Sequence, residues 1–203
     1  MTTPLHEERL AAVLAAVSEI RPTTVLDLGC GDGDLFLRLA RQPRLDRLVG
    51  VDLCAAVLDR LRQRLARTQV AARDVELRLA SLLEPQPDLA GFDCATLVEV
   101  IEHVDPGRLS QLERAVFAVM RPRAVVVTTP NAEFNPLLGV PARRFRHPDH
   151  RFEWDRTRFR AWALRIGAAQ GYAVDIADIA GRHPALGGAS QMAVLRRRDR
   201  PAA

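Results

Sequence analysis

Glu99, Glu102 and His103, in Val98-Glu-Val-Ile-Glu-His-Val104, are residue types that together can hold a divalent cation. If a helical turn begins at Glu99, the three fall at i, i+3 and i+4 and share one face. Two carboxylates neutralise a doubly charged ion. Oxygen with imidazole favours Mn²⁺, Fe²⁺, Co²⁺ or Zn²⁺ over Ca²⁺, and Mg²⁺ is accommodated when water completes its shell. A further ligand is available at His147 or His150, in Arg146-His-Pro-Asp-His-Arg-Phe-Glu-Trp154. Glutamates are also favoured at a helix start by the dipole alone, so the cluster has an ordinary explanation beside the chemical one.

A second constellation is Val25-Leu-Asp-Leu-Gly-Cys-Gly-Asp-Gly33. Gly29, Gly31 and Gly33 alternate between an apolar strand and a helix start, where a side-chain-free backbone can approach a ligand at the carboxyl end of a strand. A dinucleotide fingerprint requires Gly or Ala at its sixth place, and Asp34 stands there. Asp27, Asp32 and Asp34 would repel a pyrophosphate. They suit a ligand with a positive end, such as the amino and sulfonium groups of S-adenosylmethionine. Asp52 follows Gly33 by 19 residues, the separation at which a carboxylate accepts both hydroxyls of an adenosine ribose.

The elements that must position these residues alternate regularly. Thr3-Pro4 caps a helix that runs to Ile20, ahead of Arg21-Pro22. Strands are expected at Thr24–Leu28, Leu48–Val51, Val75–Ala80, Cys94–Val98 and Ala124–Thr128, with helices at Asp34–Arg41, Ala55–Arg67, Gly107–Met120 and Thr157–Gln170. Two late strands, Val174–Ile179 and Gln191–Arg196, should close as a hairpin. The fold class is α/β: a Rossmann-like, mostly parallel seven-stranded sheet with helices on both faces. The chain reads as one domain over 1–203, with an N-terminal helical segment at 1–21. The stretch 131–154 lapses into Asn, Pro, Arg and His for longer than the ~12–15 residues beyond which a loop is usually functional, so substrate is expected there.

Composition limits the chemistry further. The chain has 203 residues, 48% hydrophobic and 27% charged, which describes an ordinary globular domain. All 29 basic residues are arginine, so Schiff-base chemistry and a P-loop lysine are excluded. The net charge of +4 mildly favours a polyanionic partner. Cys30, Cys54 and Cys94 sit in apolar or glycine-rich contexts and read as core thiols in a reduced, cytoplasmic setting. The apolar run from Leu10 has an acidic flank instead of a signal peptide's positive one, and no segment approaches the ~20 apolar residues of a membrane span. Arg196, Arg197, Arg198 and Arg200 read as a solvated tail.

The motif Asp27-Leu-Gly-Cys-Gly-Asp-Gly33 with Asp52 resembles the class I S-adenosylmethionine methyltransferases, a resemblance that covers nearly the whole chain from Thr24 onward. It implies that Ser81 and Leu82 border the adenine, although Ser81-Leu-Leu-Glu-Pro lacks the Tyr-Arg-Asp that often follows. Glu-x-x-Glu-His also occurs in metal-assisted O-methyltransferases of small molecules, so a catechol-like phenol is the alternative substrate.

Thr128-Thr-Pro-Asn-Ala-Glu-Phe-Asn135, His147-Pro-Asp-His-Arg-Phe-Glu-Trp154 and Thr157-Arg-Phe-Arg-Ala-Trp162 are together similar to the Hen family, the methyltransferases of the 3′-terminal ribose 2′-hydroxyl of small RNAs. That resemblance implies a single Mg²⁺ or Mn²⁺ on Glu99, Glu102, His103 and His150, and an RNA 3′ end as partner. It also leads us to expect phosphate contacts from Arg143, Arg144, Arg146 and Arg151, with Phe152 or Trp154 stacking on a base or serving the core. Bacterial RNA-repair members carry a further amino-terminal region that assists a kinase-phosphatase ligase. Nothing in this sequence corresponds to it, which gives little ground for that partnership.

Overall fold

A computed structural model describes residues 3–198. Five parallel strands and a terminal antiparallel pair form one sheet, in the order β3-β2-β1-β4-β5-β7-β6. The strands are β1 (Thr24–Leu28), β2 (Arg47–Asp52), β3 (Asp74–Leu79), β4 (Cys94–Val98), β5 (Ala124–Pro130), β6 (Tyr172–Ile179) and β7 (Ser190–Arg197). β1 pairs in parallel with both β2 and β4, so the winding direction reverses between β1 and β4. A crevice at the carboxyl ends of these two strands is therefore built into the topology.

Helices α1 (Pro4–Ile20), α2 (Phe36–Ala40) and α3 (Ala55–Leu65) cover one face, burying Leu10, Val13, Phe36, Leu58 and Leu61 with Val25 and Leu48. Helices α4 (Leu109–Glu113) and α5 (Arg156–Gln170) cover the other, with Phe117, Phe159, Trp162 and Ile166 packed over Leu26 and Leu97. Both faces are apolar because a parallel sheet is buried twice, which explains runs such as Ala-Val-Val-Val in β5. Among the described residues no helix is long and apolar enough to cross a membrane.

Several boundaries differ from the sequence reading. The helix expected from Asp34 starts at Phe36, because Gly33 at φ +85° still belongs to the turn. The helix expected over Gly107–Met120 is a 3-10 turn, then α4, then a π-helical stretch Arg114–Met120 that ends at Arg121 with φ 45°. β6 and β7 do form a hairpin, yet β7 lies inside, paired antiparallel to β5.

Cys30 and Cys94 are buried, but Cys54 is exposed. Its backbone amide binds Asp52 Oδ1 at 2.9 Å at the entrance to α3, which leaves the thiol outside the core. The tail reading is also corrected. Arg196 and Arg197 belong to β7, with Arg196 paired to Asp175 at 2.6 Å and Arg197 donating to the Arg121 carbonyl. Arg198 is exposed, and Arg200 lies outside the described residues.

Candidate active site

The glycine loop crosses the end of β1 in three left-handed steps, with Gly29, Gly31 and Gly33 at φ +77°, +54° and +85°. Each glycine has a different reason. A Cβ at Gly33 would lie 2.2 Å from Leu61 Cδ1, and one at Gly29 would lie 2.6 Å from Val100 Cγ2, whereas at Gly31 it would meet nothing within 4 Å. Gly29 and Gly33 thus permit packing, and Gly31 borders open space. The Gly29–Val100 contact also presses the glycine loop against the turn that carries Glu99 and Glu102.

Asp52 caps the loop, accepting from the Gly31 amide at 2.9 Å. Asp27 is 2% exposed; one oxygen accepts from the Thr96 hydroxyl at 2.8 Å and the other has no partner. Burial, reinforced by Asp52 and opposed by the Thr96 bond, pushes its carboxyl up to about 7. The other two acids are neutralised within the protein. Asp32 pairs with Arg60 at 2.7 Å, and Asp34 with Arg64 at 2.8 Å and His6 at 3.1 Å. Of the three carboxylates expected to face a cationic ligand, Asp27 is the one with a buried oxygen that lacks a hydrogen-bond partner. Ser81 and Leu82 follow β3; the Ser81 hydroxyl accepts from the Leu83 amide at 3.2 Å, and Leu82 is partly buried against the core. Leu53, 74% exposed directly after Asp52, was not singled out from sequence. An apolar residue just beyond the acid that ends β2 was the available signal.

The acidic pair lies at the end of β4. Glu99 has φ +55°, so the chain turns sharply there instead of starting a helix, and a 3-10 turn covers Ile101–His103. The expected shared helical face is corrected accordingly: Glu102 is fully buried while His103 is exposed. Glu99 accepts from Arg9 at 3.1 Å and from the Thr128 hydroxyl at 2.9 Å. Glu102 Oε2 accepts from the Thr129 hydroxyl at 3.1 Å, and its Oε1 has no partner. Burial and then the charge of Glu99 raise the Glu102 carboxyl well above the usual range.

Three imidazoles converge beside this pair. The ring centroids of His103 and His150 are 4.8 Å apart, those of His103 and His147 5.9 Å, and those of His147 and His150 5.6 Å. One ligating atom from each lies within 4.8 Å of the others, and the carboxylates of Glu99 and Glu102 stand outside that group. A main-chain bond of 2.7 Å from Arg151 N to the Glu102 carbonyl ties the histidine segment to the acidic turn. Burial, with the neighbouring His150, lowers the pKa of His103, which keeps a nitrogen lone pair available.

The insertion that delivers His147 and His150 is anchored by a buried polar network that sequence reading did not identify. Glu153, its side chain 1% exposed, accepts from His150 Nδ1 at 2.6 Å, from the Arg146 amide at 2.7 Å and from Asn135 Nδ2 at 2.6 Å. These bonds outweigh burial and hold its carboxyl below the usual range. Arg146 donates to Asn135 Oδ1, to the Ala189 carbonyl at 2.6 Å and to the Asn131 carbonyl. Its guanidinium is therefore committed internally, which corrects the expected phosphate contact. Arg143, Arg144 and Arg151 have no side-chain partner among the described residues, and Phe145 between them is 47% exposed. Phe152 is buried and stacks on Trp154 at 4.3 Å, with Trp162 beyond, so both rings serve the core.

A family model described as a methyltransferase domain matches residues 25–123. The methyltransferase domain of bacterial CtHen1-C superposes with a TM-score of 0.85 at 35% identity, over 96% of this chain and 100% of that one. This chain belongs to the Hen1 methyltransferase family. Curated relatives named small RNA 2′-O-methyltransferase include those of Gallus gallus, 36% identical over 88% of this chain and 49% of that protein, and of Mus musculus, 38% identical over 87% and 46%. The chain spans about half the length of these relatives.

Proposed function

We propose that this chain transfers a methyl group from S-adenosylmethionine to the 2′-hydroxyl of the 3′-terminal ribose of RNA, aided by one divalent cation held by Glu99, Glu102, His103 and His150. The unpartnered, fully buried Oε1 of Glu102 carries this reading. A carboxyl oxygen removed from water without a donor requires a proton or a cation. The adjacent imidazoles, one kept neutral by burial, favour the cation. The other half of the reaction fits as well: Asp27 offers an unsatisfied oxygen and Gly31 borders open space.

When bound, the cation supplies Lewis acidity that lowers the proton affinity of a ribose hydroxyl. Positioning belongs to the protein. Glu153 fixes the His150 ring through Nδ1, leaving Nε2 free, and Arg9 with Thr128 holds Glu99. Asp52 accepts from the cofactor ribose, Asp27 faces its amino group, and Leu53, Ser81 and Leu82 border the adenine. In the transfer the 2′ oxygen bonds the methyl carbon as the carbon–sulfur bond breaks, and the hydroxyl proton passes to water. Arg143, Arg144 and Arg151 meet phosphates, and Phe145 offers a ring for a base to stack on. A catechol-like substrate would leave these residues without a ligand.

The test uses labelled S-adenosylmethionine, Mn²⁺ and RNAs that differ only at the 3′ terminus. Diol-ended RNA should be methylated and become resistant to periodate. A 3′-phosphate, a 2′-deoxy end or a chelator should block the reaction. Methylation indifferent to the terminal diol overturns the reading.

A further inference from the structure

We propose that His147 is a third imidazole ligand of the cation centre, and that it makes this protein select a transition-metal ion over Mg²⁺. The inference rests on the cation reading above and adds a residue to it. His147, His103 and His150 form the one group of three potential metal-ligating side chains that the described residues bring together. Nitrogens bound to one ion at ~2.1 Å stand about 3–3.4 Å apart, so separations of up to 4.8 Å close by modest side-chain rotation. His103 and His147 are exposed, and the adjustment would have to loosen only the bonds that join them to the Asp149 backbone. His150 is held by Glu153 and serves as the fixed point.

His147 is built into the site by its backbone. The His150 amide donates to the His147 carbonyl at 3.2 Å, closing the turn that returns both rings to the same side, and the preceding Arg146 is locked by its own bonds. Its ring accepts at Nδ1 from the Asp149 amide at 3.2 Å, and the same nitrogen lies 3.8 Å from the Asp149 carboxylate. That bond is long and the side chain is 53% exposed, so His147 is the most replaceable of the three ligands. Mg²⁺ takes oxygen ligands and retains water, whereas imidazole binds Mn²⁺, Co²⁺ and Zn²⁺ with increasing preference. A third imidazole therefore shifts selectivity without adding charge.

The experiment titrates the purified chain with Co²⁺ and, separately, with Mg²⁺, following the Co²⁺ visible absorption and binding heat. His147→Ala and His147→Asn are compared with wild type after melting curves show intact folds. Both variants should lose at least the ~10–100-fold in Co²⁺ affinity that loss of an outer-shell partner costs. They should also show an altered Co²⁺ spectrum while Mg²⁺ affinity stays within about twofold. Unchanged Co²⁺ affinity and spectrum in both variants overturn the role of His147 alone. Equal losses for both ions also overturn it, since selectivity is the claim. A wild-type chain that binds neither ion overturns the cation centre itself.

Discussion

Glu153 Oε1 lies 2.6 Å from His150 Nδ1, and both side chains are nearly inaccessible to water. One ring nitrogen is thereby committed to a carboxylate, the arrangement by which an outer carboxylate raises the basicity of a ligating imidazole.

Glu153→Gln should weaken Mn²⁺ binding by about 10–100-fold. The new amide NH₂ would face Asn135 Nδ2, placing two donors together, because Asn135 Oδ1 is already used by Arg146. Isothermal titration with Mn²⁺ and a thermal melt of the same variant measure the two effects.

Gly31→Ala and Gly33→Ala should separate binding from folding. At Gly31 the added methyl has space, and the φ of +54° imposes a penalty of about 1–2 kcal/mol. The chain should fold and bind S-adenosylmethionine weakly. At Gly33 the methyl lies 2.2 Å from Leu61 Cδ1, so overpacking adds about 1–3 kcal/mol to the strain. Paired melting and cofactor-binding curves should give Gly31→Ala the larger ratio of binding loss to stability loss and Gly33→Ala the smaller.

Asp27 gives a pH dependence with a definite sign. Its carboxyl is pushed up to about 7 from 3.8 by burial. The fold therefore prefers it protonated; the stability this supplies is full below about pH 4 and is lost as the pH rises to about 7, roughly 4 kcal/mol in all. A cationic amino group beside Asp27 favours the ionised form, so S-adenosylmethionine affinity should rise from pH 6 to pH 8. Asp27→Asn should flatten that rise. Calorimetry at both pH values decides it.

The insertion arginines should divide into two kinds. Arg143→Ala and Arg144→Ala should leave the melting temperature unchanged and lower the salt dependence of RNA binding by about one unit of slope per lost phosphate contact. Phe145→Ala should reduce RNA affinity by about 1–3 kcal/mol if its ring stacks on a base. Arg146→Ala should instead destabilise the fold, because carbonyls of Asn131 and Ala189 lose their donor. Filter binding across a salt series, together with melts, reads all four.

The sheet was legible because local pattern and global fold agree. Apolar runs such as Val25 to Leu28 and Val125 to Val127 read as doubly buried strands, and three alternating glycines between a strand and a helix start allow few other conformations. Glu99, Glu102 and His103 were nameable from residue type and spacing, whereas His150 was separated from His147 only by the resemblance to the Hen family. Their orientations were not, since the left-handed turn at Glu99 replaces the helical turn on which the spacing argument depended.

What the amino-acid order determined by itself was the set of elements, the glycine crevice and the chemical types gathered around it, because these follow from side-chain periodicity and backbone freedom over a few residues. Only the tertiary structure decided which charges remain available. Arg60 and Arg64 of α3 neutralise Asp32 and Asp34, Arg9 of α1 reaches Glu99 across 90 positions, and Glu153 claims one nitrogen of His150. Whether a carboxylate is free or paired depends on neighbours that sequence separation does not reveal and on burial that folding alone creates.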